Sequence, residues 1–132
     1  MTVRFLQPDG WALPRGYANG VSAEGRLVFV AGQVGWNAQG QFETDDFVAQ
    51  VEQALMNVVA VLRMAGATPE HLVRMTWYVT DKAAYVARQH EVGEAYRRAI
   101  GRHFPAMTLL VVAGLLDDRA LIEIEATAVL PA

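Results

Sequence analysis

The 132-residue chain is long enough for one domain with a real core and too short for two of typical size. A net charge of −3 argues against a surface built for phosphate backbones, and the absence of cysteine excludes disulfides, thiolate nucleophiles and thiolate metal sites. The apolar fraction of 53% exceeds what a small monomer needs, so burial between subunits is expected.

In chain order, a first hairpin is predicted from about Tyr17 to Gln33, with Ala23-Glu24-Gly25-Arg26 as the turn. The polar loop from Trp36 to Gln41 leads to Asp45 and Asp46. These cap a helix carrying Phe47, Val51, Ala54, Leu55, Val58 and Leu62 on one face, and Gly66 ends it. Thr68-Pro69-Glu70 reads as an N-cap, a first-turn proline and an acid, giving a short helical turn. A strand follows from Val73 to Thr80. In it Val73, Met75, Trp77 and Val79 point one way, and Arg74, Thr76, Tyr78 and Thr80 the other. Asp81 caps a second helix with Tyr85, Val92, Tyr96 and Ala99 at core spacing, which gives way between Gly101 and Pro105 to two C-terminal strands.

This order predicts an α+β domain spanning residues 1–132: one mixed β-sheet covered on one face by two α-helices, with the opposite face left open. No apolar run reaches the ~18 residues of a membrane-spanning helix, and the N-terminus lacks a signal pattern. No membrane segment and a cytoplasmic location are therefore expected. Arg97 and Arg98, with Arg102 and His103 nearby, read as a helix end complementing the dipole.

In the last strand Glu123 and Glu125 share a face with Leu121 and Thr127, ~7 Å apart at i, i+2 spacing, opposite Ile122, Ile124, Ala126 and Ala128. By themselves they read as a solvated strand face. The three histidines lack metal-ligand spacing, and His90-Glu91-Val92-Gly93-Glu94 lacks the second histidine of a zinc helix. Gly32-Gln33-Val34-Gly35 lacks the glycines and following helix of a dinucleotide loop, so neither metal nor cofactor is expected.

Taken together, Val28-Phe29-Val30-Ala31-Gly32-Gln33, Phe104-Pro105-Ala106-Met107-Thr108-Leu109 and Leu121-Ile122-Glu123-Ile124-Glu125-Ala126 resemble the RidA (YjgF-type) reactive-intermediate deaminase family. The resemblance runs from about Tyr17 to Val129. It implies a chorismate-mutase-like fold, a homotrimer with its sheets around a central core, and a small-molecule pocket at each subunit boundary. Glu123 matches the first glutamate of the family's Ile/Val-Glu-Ile-Glu-Ala segment, which orients the water that attacks an imine carbon. The family's Gly-Pro-Tyr corresponds to Gly16-Tyr17 without the proline, and its Ser-Gly-Gln to Ala31-Gly32-Gln33. Tyr17 could donate through its hydroxyl and Gly32 through its N–H, although a tyrosine beginning a strand also fits simple packing. Trp36 could wall a flat ligand.

Two positions depart from the family pattern. His90 stands at its helix asparagine, and Met107 at the arginine that clamps a substrate carboxylate, with the spacing between the two positions retained. Methionine offers no planar cationic fork, so a 2-imino acid should be held poorly unless Arg15, Arg74 or His90 replaces it. The expected function is hydrolysis of a small imine or enamine with reduced carboxylate selectivity. The alternative is a non-catalytic trimeric metabolite-binding or regulatory protein. An endoribonuclease, an activity also attached to the family, sits least well with the acidic balance.

Overall fold

The structure, a computed structural model, describes residues 3–132. Its first long helix, α1 (Phe47–Met64), starts where Asp46 takes the Ala49 N–H at 2.9 Å and stops before Gly66, whose φ of 76° favours glycine. Val51, Ala54, Leu55, Val58 and Leu62 are fully buried along one face. A 3-10 turn at Pro69–His71, with reciprocal Thr68 and His71 capping, leads into β4 (Leu72–Val79).

Four strands, β3 (Arg26–Val34), β4, β5 (Ala106–Val111) and β6 (Ile122–Leu130), form a mixed sheet in the order β3-β6-β4-β5, with only β4 and β5 parallel. Met75, Trp77, Val79, Ile122, Ile124 and Ala128 turn to the helices and are buried. Among the described residues none forms a layer over the opposite face, and Leu27, Phe29 and Leu110 stand 57%, 73% and 45% exposed. Among the described residues two polar side chains are buried, Thr76 of β4 and Gln50 of α1. Gln50 of α1 is fully buried, donates to the carbonyls of Thr44 and Arg119 at 3.0 and 3.1 Å, and accepts from the Leu121 N–H at 2.9 Å. Gly35 meets the same place: a Cβ there would lie 2.7 Å from the Gln50 Cα.

Three expectations change. The Tyr17–Gln33 hairpin does not form: β2 (Gly20–Ala23) pairs antiparallel with β1 (Val3–Leu6), while β3 pairs with β6. The nine-residue β6 offers β3 a long register that four-residue β2 does not, and Gly25 pins the crossing, because a Cβ there would sit 1.9 Å from the Leu130 carbonyl oxygen. The second helix is two, α2 (Lys82–Ala87) and α3 (Gln89–Ala99), broken at Arg88 with φ −125° and ψ 27°. The Arg88 guanidinium reaches Asp46 at 2.5 Å and Glu91 at 2.7 Å, tying this break to the start of α1. Finally, α1 has the length and mean hydropathy, 1.2, to cross a membrane, where no such segment was expected. Half of it is buried against the sheet and α3, which accounts for its apolar excess.

Candidate functional site

Strand alternation puts Glu123 and Glu125 on the open face of β6, facing Tyr78 and Thr76 of β4. Their partners differ. Glu125 accepts a hydrogen bond from the Tyr78 hydroxyl, and that bond raises the Tyr78 phenol above its ordinary 10.0. Glu123 has no ion-pair partner among the described residues. Its carboxylate lies against Gly32, where a Cβ would come within 2.4 Å of Oε2. The β3–β6 register jumps between Val30 and Gln33, so Ala31 and Gly32 form a bulge outside the ladder. The Gln33 side chain takes the Ala31 carbonyl at 3.0 Å. Bulges of this kind re-aim backbone next to functional sites.

Gly32, Glu123, Trp36, Val34, Leu116 and Asp117 line one hollow of ≈ 330 Å³. Asn57 of α1 holds its wall by donating to the carbonyls of Val34 and Trp36 at 3.0 and 2.9 Å. Asp117 and Leu116, from the β5–β6 loop, escaped the sequence reading because no motif marks them.

Tyr17, Arg74 and Met107 line a different groove of ≈ 610 Å³ with Asn19, Thr108 and Thr127. Tyr17 is placed there because Ala18 bridges Ala106 in parallel and donates its N–H to the Pro105 carbonyl at 3.0 Å, laying the β2 segment along the β5 edge. Met107 is in register with Met75, so its side chain turns toward the helix layer and packs partly into the core. Arg74 stands exposed on the open face without a carboxylate partner among the described residues. Glu123 pairs in register with Tyr78, four residues along β4 from Arg74, about 13 Å at the strand rise. Within one chain, then, these residues of the sequence reading line two separate hollows.

His90 lines neither hollow. Its side chain is 87% exposed on α3, with Nε2 3.4 Å from Glu94. The neighbouring basic pair divides: Arg98 binds Glu52 at 2.7 Å, whereas Arg97 lines a third cavity with Arg15 and Met107. Reading both as helix-end charges missed this, although adjacent helical residues point about 100° apart and rarely share a role. Among the described residues no group of three or more His, Asp or Glu side chains could hold a metal ion.

Comparisons with known proteins bear on the family and the fold. The family described as Endoribonuclease L-PSP matches residues 12–130. A RutC family protein of Haemophilus influenzae is 36% identical over 105 residues, 80% of each chain. A 2-iminobutanoate/2-iminopropanoate deaminase of Capra hircus is 31% identical over 79% of this chain and 73% of its own. The crystal structure of a Rid family protein of unknown function from Yersinia pestis superposes with a TM-score of 0.87 at 36% identity, covering 98% of this chain and 100% of that one. The chain therefore belongs to the Endoribonuclease L-PSP family, the RidA/YjgF group that its C-terminal motifs resemble.

Proposed function

We propose that the chain hydrolyses small imines or enamines to a carbonyl compound and ammonia, at a site completed between subunits of a homotrimer. The observation carrying this reading is the Glu123 carboxylate, without an ion-pair partner among the described residues, resting on the Gly32 bulge in a hollow walled by Trp36. A carboxylate so placed accepts a proton as water attacks the C=N carbon. The water oxygen forms the new C–O bond while the C=N electron pair moves to nitrogen. Glu123 returns the first proton to nitrogen, giving a neutral carbinolamine; in its collapse the hydroxyl proton passes to nitrogen, the C=O bond forms as the C–N bond breaks, and nitrogen leaves as ammonia with both protons of the water. Water is the sole co-reactant, and no cofactor enters. The deaminase among the relatives supports this reaction class.

Association supplies the rest. The open sheet face, with Phe29 and Leu27 exposed, is the surface through which three chains meet, bringing a neighbour's Tyr17 groove to Glu123. The Tyr17 hydroxyl and the Gly32 N–H then stabilise charge on the reacting centre. Met107 gives the groove a thioether in place of a guanidinium. The missing charge-assisted pair weakens carboxylate binding by ~1.5–3 kcal/mol, so 2-aminoacrylate-type imino acids are poor substrates.

A non-catalytic metabolite-binding trimer is the second reading, favoured by the thioether at Met107 and the outward turn of His90. An endoribonuclease fits less well: Arg98 and Arg119 are engaged by Glu52 and Asp45, and the net charge is −3. Ammonia release from neutral imines formed in situ, timed against spontaneous hydrolysis, separates the readings. Acceleration that disappears in Glu123→Gln supports the hydrolase. Ligand binding without acceleration supports the binding protein.

A further inference from the structure

We infer that Arg119 is a positioning residue for the proposed hydrolysis: it clamps the Phe42 ring, and through it the Trp36 wall, and so sets the width of the hollow that holds the substrate beside Glu123. Arg119 is not among the residues lining that hollow, so its action passes through Phe42 and Trp36. The inference rests on the hydrolase reading and extends it to a side chain remote from the reacting atoms.

Two loops wall the hollow, one supplying Trp36 and the other Leu116 and Asp117. In the first, Asn37 closes a tight turn. Its N–H donates to the Gln41 carbonyl at 2.8 Å, and its side-chain oxygen accepts from the Gln39 and Gln41 N–H groups at 2.9 and 3.0 Å. The turn brings Phe42 back beside Trp36, with ring centroids 6.0 Å apart and planes inclined by 52°. In the second loop the Asp117 carboxylate accepts from the Arg119 N–H at 2.9 Å, and the Ala120 N–H donates to the Asp117 carbonyl at 3.0 Å. Arg119 then spans the gap between the loops. Its Nε and Nη2 donate to Asp45 Oδ1 at 3.3 and 2.8 Å, its Nη1 donates to the Phe42 carbonyl at 3.2 Å, and its Cζ lies 5.5 Å from the centre of the Phe42 ring. A planar guanidinium makes all three contacts at once, which the point charge of a lysine does not.

Burial assigns these contacts a local role. From inside the core, Gln50 already ties the backbones of the two loops at Thr44 and Arg119. The aromatic side chains are left to be ordered from outside, for Phe42 is only half-buried and Trp36 is 37% exposed. The Arg119–Asp45 pair is itself exposed, where an ion pair adds little to global stability. Its consequence is the placement of two rings. A Trp36 ring free to swing would have to be ordered each time substrate binds, which weakens binding. Glu123 is placed separately, by the β6 register and the Gly32 bulge, so proton transfer does not depend on the clamp.

The test pairs tryptophan emission with steady-state kinetics of the intact protein, using R119Q, R119K and F42L and, as substrate, benzaldimine generated in situ from benzylamine by an amine oxidase. The Trp36 share of emission is the difference between each protein and the same protein carrying W36F. In R119Q and F42L that share should shift and become more readily quenched by acrylamide. In both, KM should rise roughly 3- to 10-fold with kcat within about 2-fold of the parent, the pattern of lost binding and intact chemistry. R119K, which keeps the charge without the planar fork, should fall between the parent and R119Q. Thermal midpoints should stay within about 2 °C of the parent, because the contacts removed are exposed. An unchanged Trp36 signal in R119Q, a change in R119Q that F42L does not share, or a changed signal with the parental KM would overturn the inference. A parent without turnover would sink the hydrolase reading instead, and the Trp36 signal would still decide whether Arg119 holds the wall.

Discussion

The Glu123 carboxylate and the Gly32 backbone occupy adjoining space so closely that a single methyl group at Gly32 would fall 2.4 Å from Glu123 Oε2. Glycine at this bulge is a requirement of the carboxylate's position and not of a strained φ, since Gly32 is absent from the positive-φ glycines.

Gly32→Ala is therefore expected to move the flexible end of Glu123 and leave the sheet in place. Imine hydrolysis should fall at least ~10-fold, for a misplaced base loses the geometry general catalysis needs, while stability changes by under ~1 kcal/mol. Turnover assays beside thermal melts check both. Unchanged turnover would show that the carboxylate position is not used.

Gln50→Leu removes a buried amide that serves three backbone groups, among them the N–H of Leu121, two residues before Glu123. The loss should reach ~1–3 kcal/mol or more, because buried groups left unpaired forfeit their hydration. Urea unfolding measures it, and a neutral substitution would show that water or a shifted loop satisfies those groups.

Acid should expose the Asp46–Arg88 link. The Arg88 guanidinium, and after it the Ala49 N–H, hold the Asp46 carboxyl below its ordinary 3.8. A depressed folded value means the contribution is present above pH 3.8 and is lost as pH falls through the folded value. Asp46→Asn, which keeps the cap but loses the charge, should be less stable than the parent near neutrality, and the gap should narrow below pH 3.8. A gap independent of pH would mean that the ion pair contributes nothing.

Tyr78 should titrate late. Its hydrogen bond to Glu125 favours the neutral phenol, so ultraviolet titration of a Tyr78→Phe variant should lack one tyrosine that ionises above pH 10.0 in the parent. Loss of a tyrosine with ordinary ionisation would contradict that bond.

The parts of the fold legible in the sequence are those set by neighbours along the chain. The caps at Asp46 and Asp81, the stop at Gly66, the β6 pattern and the β4 pattern from Met75 on stand as read, whereas at the start of β4 a register shift between Leu72 and Arg74 buries Leu72 in the core and leaves Val73 half-buried in the Tyr17 groove. What eluded the reading depends on distant segments. The partner of β2 is β1, chosen by long-range pairing, and Gln50 sits on an apolar helix stripe because a loop some seventy residues away, at Arg119 and Leu121, needs its amide. The nearness of Glu123 to Gly32 follows from the family resemblance and not from spacing. Arg97 facing a cavity while Arg98 pairs with Glu52 depends on helix phase against α1, which composition does not carry.

The central claim is that Tyr17 and Glu123 work in one site although a single chain places them in separate hollows. Complementation tests it most directly. Tyr17→Phe and Glu123→Gln chains, each assayed alone for imine hydrolysis, should be strongly impaired. Unfolded, mixed in equal amounts and refolded together, they should regain activity, because about a quarter of the sites in randomly assorted trimers receive both native residues from different chains. No recovery in refolded mixtures, with each unmixed parental control refolding normally, would contradict a site shared between subunits.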